Sequence, residues 1–177
     1  MLDLDALAAS EKANWVWEGA SCARPAERRC LVRLSDGGED AVTIREFDLV
    51  TGKFVPGGFV LPKGKQDASW VNQDELLVSR EWTPGMLTKS GYAYVVKRLR
   101  RGQPLSAAKE VYRGAVDDVA ASGAVLRDGQ NRTLSFVSRS TDFFHSQNFL
   151  LGPKGPRRLK TDSLAIYRGA LPLSIMK

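Results

Sequence analysis

Residues 79–105 read SREWTPGMLTKSGYAYVVKRLRRGQPL, and their order decides the kind of fold this chain adopts. SREW closes an apolar strand. TPGMLTKSG interrupts it with a Pro-Gly break and polar residues, and YAYVVKRLRRGQPL restores alternation before a tight basic turn at Arg101-Gly102. An inner strand, a long connecting loop and the start of an outer hairpin are the parts of one four-stranded antiparallel unit.

The same arrangement recurs on both sides. Upstream, RCLVRLSDGG (29–38) places Cys30, Val32 and Leu34 on one face and Leu31 and Arg33 on the other, ahead of a Ser-Asp-Gly-Gly turn. AVTIREFDLVTGKFV (41–55) carries Val42 and Ile44 in one phase and Phe47 and Leu49 in the opposite one, which implies a bulge near Arg45 or a change of burial. DASWVNQDELLVSREW (67–82) gives a strand through Trp70, a polar turn and a strand through Leu76, Leu77 and Val78, whose unbroken apolar run requires cover on both faces. AKEVYRG (108–114) completes that round. A third follows in DDVAASGAVLRDGQ, RTLSFVSRS and SQNFLLGPKGPRRL, and a fourth begins at LAIYRG (164–169). Only LDLDALAASEKA (2–13) has a helical pattern, enough for one short helix.

Phe47, Leu99 and Leu150 recur at intervals of 52 and 51, whereas Leu31, Leu76 and Leu134 are spaced 45 and 58. A period near 50 with four short strands in each round is the signature of propeller blades. The fold class read from the chain is therefore all-β, a partial β-propeller of about three four-stranded antiparallel blades plus the start of another. The blades fall at about 14–62, 66–114 and 117–160, with a partial blade at 163–177, all in one domain over 1–177. A β-sandwich with long hairpins is the competing architecture.

Composition bounds the function. The 177 residues are 43% hydrophobic, enough for one domain with a substantial core. No apolar run approaches the roughly 18 residues of a membrane span. The acidic start MLDLDALAAS is unlike a secretory signal, so a soluble piece in the cytoplasm or periplasm is expected. The net charge of +6 is a modest excess, and its clusters at RPAERR (24–29), KRLRR (97–101) and KGPRRLK (154–160) read as solvated hairpin turns that protect strand edges rather than as a nucleic-acid face. Cys22 and Cys30 flank a turn and can face each other. Two cysteines are too few for a disulfide scaffold, and reduced, buried thiols are the favoured reading. Asn131-Arg132-Thr133 fits a glycosylation sequon but is equally a polar turn.

Reactive groupings are sparse. Asp142, His145 and Ser146 contain the residue types of a triad, but neighbours along one strand point to opposite faces, and no Gly-x-Ser-x-Gly elbow is present. Asp36, Glu39 and Asp40 lack the ligand spacing of a calcium loop. Asp117 and Asp118 are adjacent and should diverge. Trp15, Trp17, Trp70 and Trp82 are expected at strand positions, as rings packed between blades. The expectation is no catalytic, cofactor or metal residue in this chain.

Four stretches together, DLDALAASEKANWVWEGASC (3–22), RRCLVRLSDGGEDAVTIREFDLVTGKFV (28–55), GFVLPKGKQDASWVNQDELLVSREWTPGMLTKSGYAYVVKRLRRGQPL (58–105) and STDFFHSQNFLL (140–151), resemble the N-terminal propeller domain of bacterial prolyl oligopeptidase family proteins. The resemblance implies a slice of a seven-bladed propeller that caps an α/β-hydrolase domain bearing a Ser-Asp-His triad. It also implies that the propeller limits access to short peptides, which the type enzymes cleave after proline. None of the catalytic stretches is matched here. The expected partners are that hydrolase domain, short peptide substrates and, through open blade faces, other copies of the chain, with no membrane or nucleic-acid partner. A free-standing propeller-type module that binds a peptide or protein is the alternative.

Overall fold

A computed structural model describes residues 2–127, 130 and 132–160; the expected partial blade at 163–177 and Asn131 of the sequon lie outside them. After one helix, α1 (Leu4–Glu11), the chain builds three antiparallel sheets in succession. The first contains β1 (Trp15–Cys22), β2 (Arg29–Asp36), β3 (Val42–Asp48), β4 (Lys53–Phe54) and β5 (Val60–Gly64). The second contains β6 (Asp67–Asn72), β7 (Glu75–Ser79), β8 (Val95–Arg100) and β9 (Lys109–Arg113). The third contains β10 (Ala120–Arg127), β11 (Thr133–Ser140), β12 (Ser146–Gly152) and β13 (Gly155–Arg158). The second and third sheets are meanders whose strands pair in chain order, the first is one through β4 with β5 returning to pair with β3, and the sheets do not close into a ring. This is the partial propeller expected from the alternation. No helix among the described residues is long and apolar enough to cross a membrane.

The middle sheet is buried on both sides, which accounts for its apolar run. Leu76 and Val78 face the first sheet with Leu31, Ile44, Leu61 and Trp70. Leu77, between them in sequence, faces the third sheet with Val96, Ala121 and Val137. Alternating side chains on one strand thus belong to different cores. The approach of the third sheet is close: a Cβ added at Gly123 of β10 would lie 2.7 Å from Leu77 Cβ. Glycine is required there for proximity.

The outer face of the first sheet is covered by the helix. Val32, Leu34 and Phe47 form its apolar surface, and Leu2, Leu4 and Leu7 pack on them. Asp3 caps the helix by accepting from Ala6 N at 3.0 Å. Glu11 ties its last turn to the sheet, accepting from Arg45 Nη1 at 2.8 and 2.9 Å and from Trp15 Nε1 at 2.9 Å.

One of two alternatives is decided and several local expectations are corrected. The phase change around Arg45 is a change of burial: β3 pairs with β2 in unbroken register from Val42 to Asp48, and the only register shift on β3 lies against β5, between Val42 and Ile44. Both faces of β3 are covered, so Ile44 and Phe47 are buried on opposite sides. The fourth position of the first sheet is split between β4 and β5, each pairing with a different part of β3. Trp82 lies beyond the end of β7 rather than on a strand; its indole packs against the first core and donates to Val95 O at 3.0 Å. Trp17 is 48% exposed, on the same face of β1 as Trp15, where the helix cover ends. Cys22 and Cys30 form a disulfide across directly paired positions of β1 and β2, which overturns the reading of reduced thiols. The register of the hairpin brings the two residues together, a fact that compartment reasoning could not supply.

Candidate functional site

The first strands β1, β6 and β10 lie on one side of the stack and form a common wall. Their cross-links are polar. Trp70 Nε1 donates to Ser21 O at 2.8 Å, and Ser69 Oγ donates to Gly123 O at 3.0 Å. Arg33 of β2 reaches the Asp67 carboxylate at the start of β6. A cleft of about 300 Å³ opens along this wall, lined by Ser21, Cys22, Arg33, Asp67, Trp70 and Arg127 among others. It spans all three sheets.

A second cross-link sits at the end of the stack that carries the β1–β2, β6–β7 and β8–β9 turns. Glu46 of β3 is fully buried, and its carboxylate accepts from Arg101 Nη1 and Nη2 at 2.8 and 3.0 Å, from Arg29 Nη1 at 3.3 Å and from Phe59 N at 2.9 Å. Arg101 belongs to the second sheet and Glu46 to the first, so the pair latches two sheets. The hydrogen bonds that Arg101 donates to Glu46, and secondarily the charge of Glu46, raise the Arg101 pKa above its ordinary value despite partial burial. Arg101 also donates to Asp74 Oδ1 at 3.0 Å and to Gln73 O at 2.6 Å, and its plane lies 4.7 Å from the Phe59 ring centroid. Gly102, at φ 74°, supplies the left-handed turn that aims this side chain.

Most arginines of the first two basic clusters are likewise neutralised. Arg24 pairs with Glu27, Arg28 with Asp48, and Arg98 and Arg100 with Glu75. The Arg28 guanidinium, helped by backbone N–H groups of Thr51 and Val50, holds the Asp48 carboxyl down at about 2. Such pairing leaves little of the free positive potential that phosphate backbones require.

The residue groups singled out by sequence are dispersed. Asp142 and His145 do come together, with Nδ1 2.9 Å from the carboxylate, but on an exposed turn where Asp142 Oδ1 also accepts from Phe144 N and His145 N at 2.8 and 2.9 Å. The Phe144 N–H first, then the His145 side chain and its N–H, lower the Asp142 pKa. Ser146 is the first residue of β12 and pairs with Ser140. The Asp142–His145 pair therefore serves as a turn cap. Asp36 accepts from Asn14 N at 2.9 Å, while Glu39 and Asp40 pair with Lys63 and Lys65. Among the described residues no group of three or more His, Cys, Asp or Glu side chains is placed to hold a metal. Asp117 pairs with Lys89, whereas Asp118 turns away to bind Arg139 through both oxygens at 2.8 Å.

The latch was missed in sequence, although a signal existed. In VTIREFD, Glu46 shares a face with Ile44, and a carboxylate on an apolar face needs a cation. Its partner, 55 residues away, is visible only once the sheets are stacked.

Comparison with known proteins agrees with this architecture. A family model described as the prolyl oligopeptidase N-terminal β-propeller domain matches residues 1–158. Over 148 residues the chain is 50% identical to an uncharacterized peptidase of Sinorhizobium fredii, a match that covers 83% of this chain and 20% of that protein. An uncharacterized peptidase of Rickettsia prowazekii is 26% identical over 160 residues, covering 85% of this chain and 22% of that protein. Among solved structures, that of a post-proline cleaving enzyme from Rickettsia typhi is similar with a TM-score of 0.85 at 24% identity, over 92% of this chain and 25% of that one. The chain spans about a fifth of the length of the curated relatives it matches.

Proposed function

The chain belongs to the prolyl oligopeptidase family, whose N-terminal β-propeller domain it carries, and from that premise we propose that it gates peptide access to a hydrolase domain. Each sheet is read as one blade, and the wall of first strands as part of the passage that substrate traverses. The observation that carries this reading is the cleft on that wall, which spans three blades held in place by inter-blade bonds at Trp70, Ser69 and Arg33. A wall locked in this way limits passage by size, without reacting residues of its own.

The test replaces the matching fifth of the Sinorhizobium fredii peptidase with this chain, and compares that chimera with one unlatched by Glu46→Ala and Arg101→Ala. Gating predicts that both hydrolyse short proline-containing peptides and that only the unlatched form attacks long or folded polypeptides. Identical size profiles contradict it. The 177-residue chain alone should not turn over a proline-specific chromogenic peptide; turnover abolished by His145→Ala contradicts that. Its open blade faces, with Trp17 half-exposed, favour association of isolated copies into dimers or larger assemblies. Sedimentation velocity reads this directly, and a monomer at every concentration contradicts it.

A further inference from the structure

The cleft on the wall of first strands holds donors that the protein itself does not use. Arg33 spends one nitrogen, Nη2, on the Asp67 carboxylate and, at 3.4 Å, on Ala68 O. Among the described residues nothing accepts from its Nε or Nη1, so most N–H groups of this guanidinium stay unspent. The side chain lines the cleft and is 28% exposed. It lies opposite Gly19 of β1, where an added Cβ would meet nothing within 4 Å, so the approach to it is open.

Ser21 follows Gly19 on the same face of β1, and its Oγ is buried with no hydrogen-bond partner. Turning that hydroxyl towards a ligand breaks no bond. From the other side, Arg127 of β10 reaches Val71 O of β6 at 3.5 Å. Two guanidinium groups, carried by the first and third sheets, thus straddle β6 where the cleft opens. Arg24 also lines it, paired with Glu27. Asp67 is the one carboxylate in the lining, and it is occupied by Arg33 and by Ala68 N at 2.9 Å. A recess with donors to spare and its acceptor already taken calls for an anion, and the planar fork of a guanidinium matches a carboxylate. The volume of about 300 Å³ suits one end of a peptide.

We propose that this cleft recognises a carboxylate of the peptide on the wall, either its C-terminal one or that of an Asp or Glu side chain. Arg33 donates to it through the unspent N–H groups, Ser21 turns its hydroxyl to it, and Arg127 adds positive charge from the far side. The proposal rests on the peptidase reading above and adds a chemical preference to selection by size.

The cleft lies within the 177-residue chain, so binding is read on that chain by nitrogen-15 NMR titration. Three probes are compared: acetyl-Ala-Pro-Ala-Ala as free acid, the same peptide as C-terminal amide, and acetyl-Ala-Pro-Glu-Ala amide. The free acid should shift the Arg33 Nε–H and Trp70 Nε1–H signals and bind at least about tenfold more tightly than its amide. Recovery of that affinity by the Glu-containing amide assigns the side-chain carboxylate as the source, and failure to recover assigns the C terminus; either supports the site. Arg33→Gln should weaken binding of the acid at least about tenfold, and Ser21→Ala about fivefold with an unchanged melting temperature, since its hydroxyl has no partner to lose. Equal affinity for all three probes, or shifts confined to residues away from the cleft, overturns the proposal. Parent affinity in either variant does so as well, and Ser21→Ala stays decisive if Arg33→Gln does not fold. Acid-selective binding beside a Sinorhizobium fredii chimera that cleaves no peptide sinks the peptidase reading and leaves the carboxylate site; cleavage without acid selectivity does the reverse.

Discussion

Arg101, on the turn after β8, donates two hydrogen bonds to the fully buried carboxylate of Glu46 in β3, at 2.8 and 3.0 Å, and so joins the second sheet to the first. The same carboxylate accepts from Arg29 and from Phe59 N. Removing it leaves the buried Phe59 N–H without its acceptor and takes the shared carboxylate from Arg29 and from Arg101, which keeps only Asp74 and Gln73 O. Glu46→Ala should destabilise the chain by about 3 kcal/mol in urea unfolding, the usual consequence of breaking a buried pair on one side. A change within a few tenths of a kcal/mol would show that the latch is ornamental to stability.

Asp48 gives the fold a defined acid sensitivity. Its carboxyl is held at about 2 in the folded state, chiefly by Arg28, against about 3.9 when unfolded. A depressed carboxylate pKa contributes stability that is present above the unfolded value and is lost as pH falls through the folded one. Asp48→Asn should therefore flatten the stability–pH curve between about pH 4 and pH 2. Parallel curves for the variant and the parent would place the effect elsewhere.

The Cys22–Cys30 bridge closes a short hairpin with a sequence separation of 8. Loop-closure entropy for so short a ring is worth about 2–3 kcal/mol. Thiol titration of the denatured, unreduced chain should detect no free thiol, and dithiothreitol should lower the melting temperature. Two titratable thiols in protein purified under oxidising conditions would contradict the pairing.

Gly123 sets the spacing between the second and third sheets, because any Cβ there meets Leu77. Gly123→Val should cost about 2 kcal/mol through overpacking. Gly38→Ala gives the comparison: no atom lies within 4 Å of its added Cβ, although its φ of 80° adds backbone strain. If the cost at Gly123 is the smaller of the two, the close approach is not what matters.

The blades were legible because strand alternation and turn residues are local signals. Phe47, Leu99 and Leu150, spaced at 52 and 51, all sit on the third strand of their sheets. The run Leu76-Leu77-Val78 reported correctly that β7 is covered on both faces. β5 was not foreseen, since Gly57, Gly58 and Pro62 punctuate its segment like a loop; Pro62 is tolerated because β5 pairs with β3 alone and leaves its other edge free. The Glu46–Arg101 latch and the Arg33–Asp67 contact escaped detection because they depend on how sheets stack, which no local pattern encodes. Exposure at Phe143 and Phe144 was hidden for the opposite reason: two aromatics beside a strand resemble core until the turn geometry is known.

Methyl contacts of the adjacent pair Leu76 and Leu77 test the stacked-blade architecture most directly. Nuclear Overhauser spectra of the methyl-labelled chain should connect Leu76 with Leu31 and Ile44 of the first sheet, and Leu77 with Ala121 and Val137 of the third. Contacts from both leucines to a single sheet, with the other side open to water, would mean a two-layer sandwich and contradict the propeller.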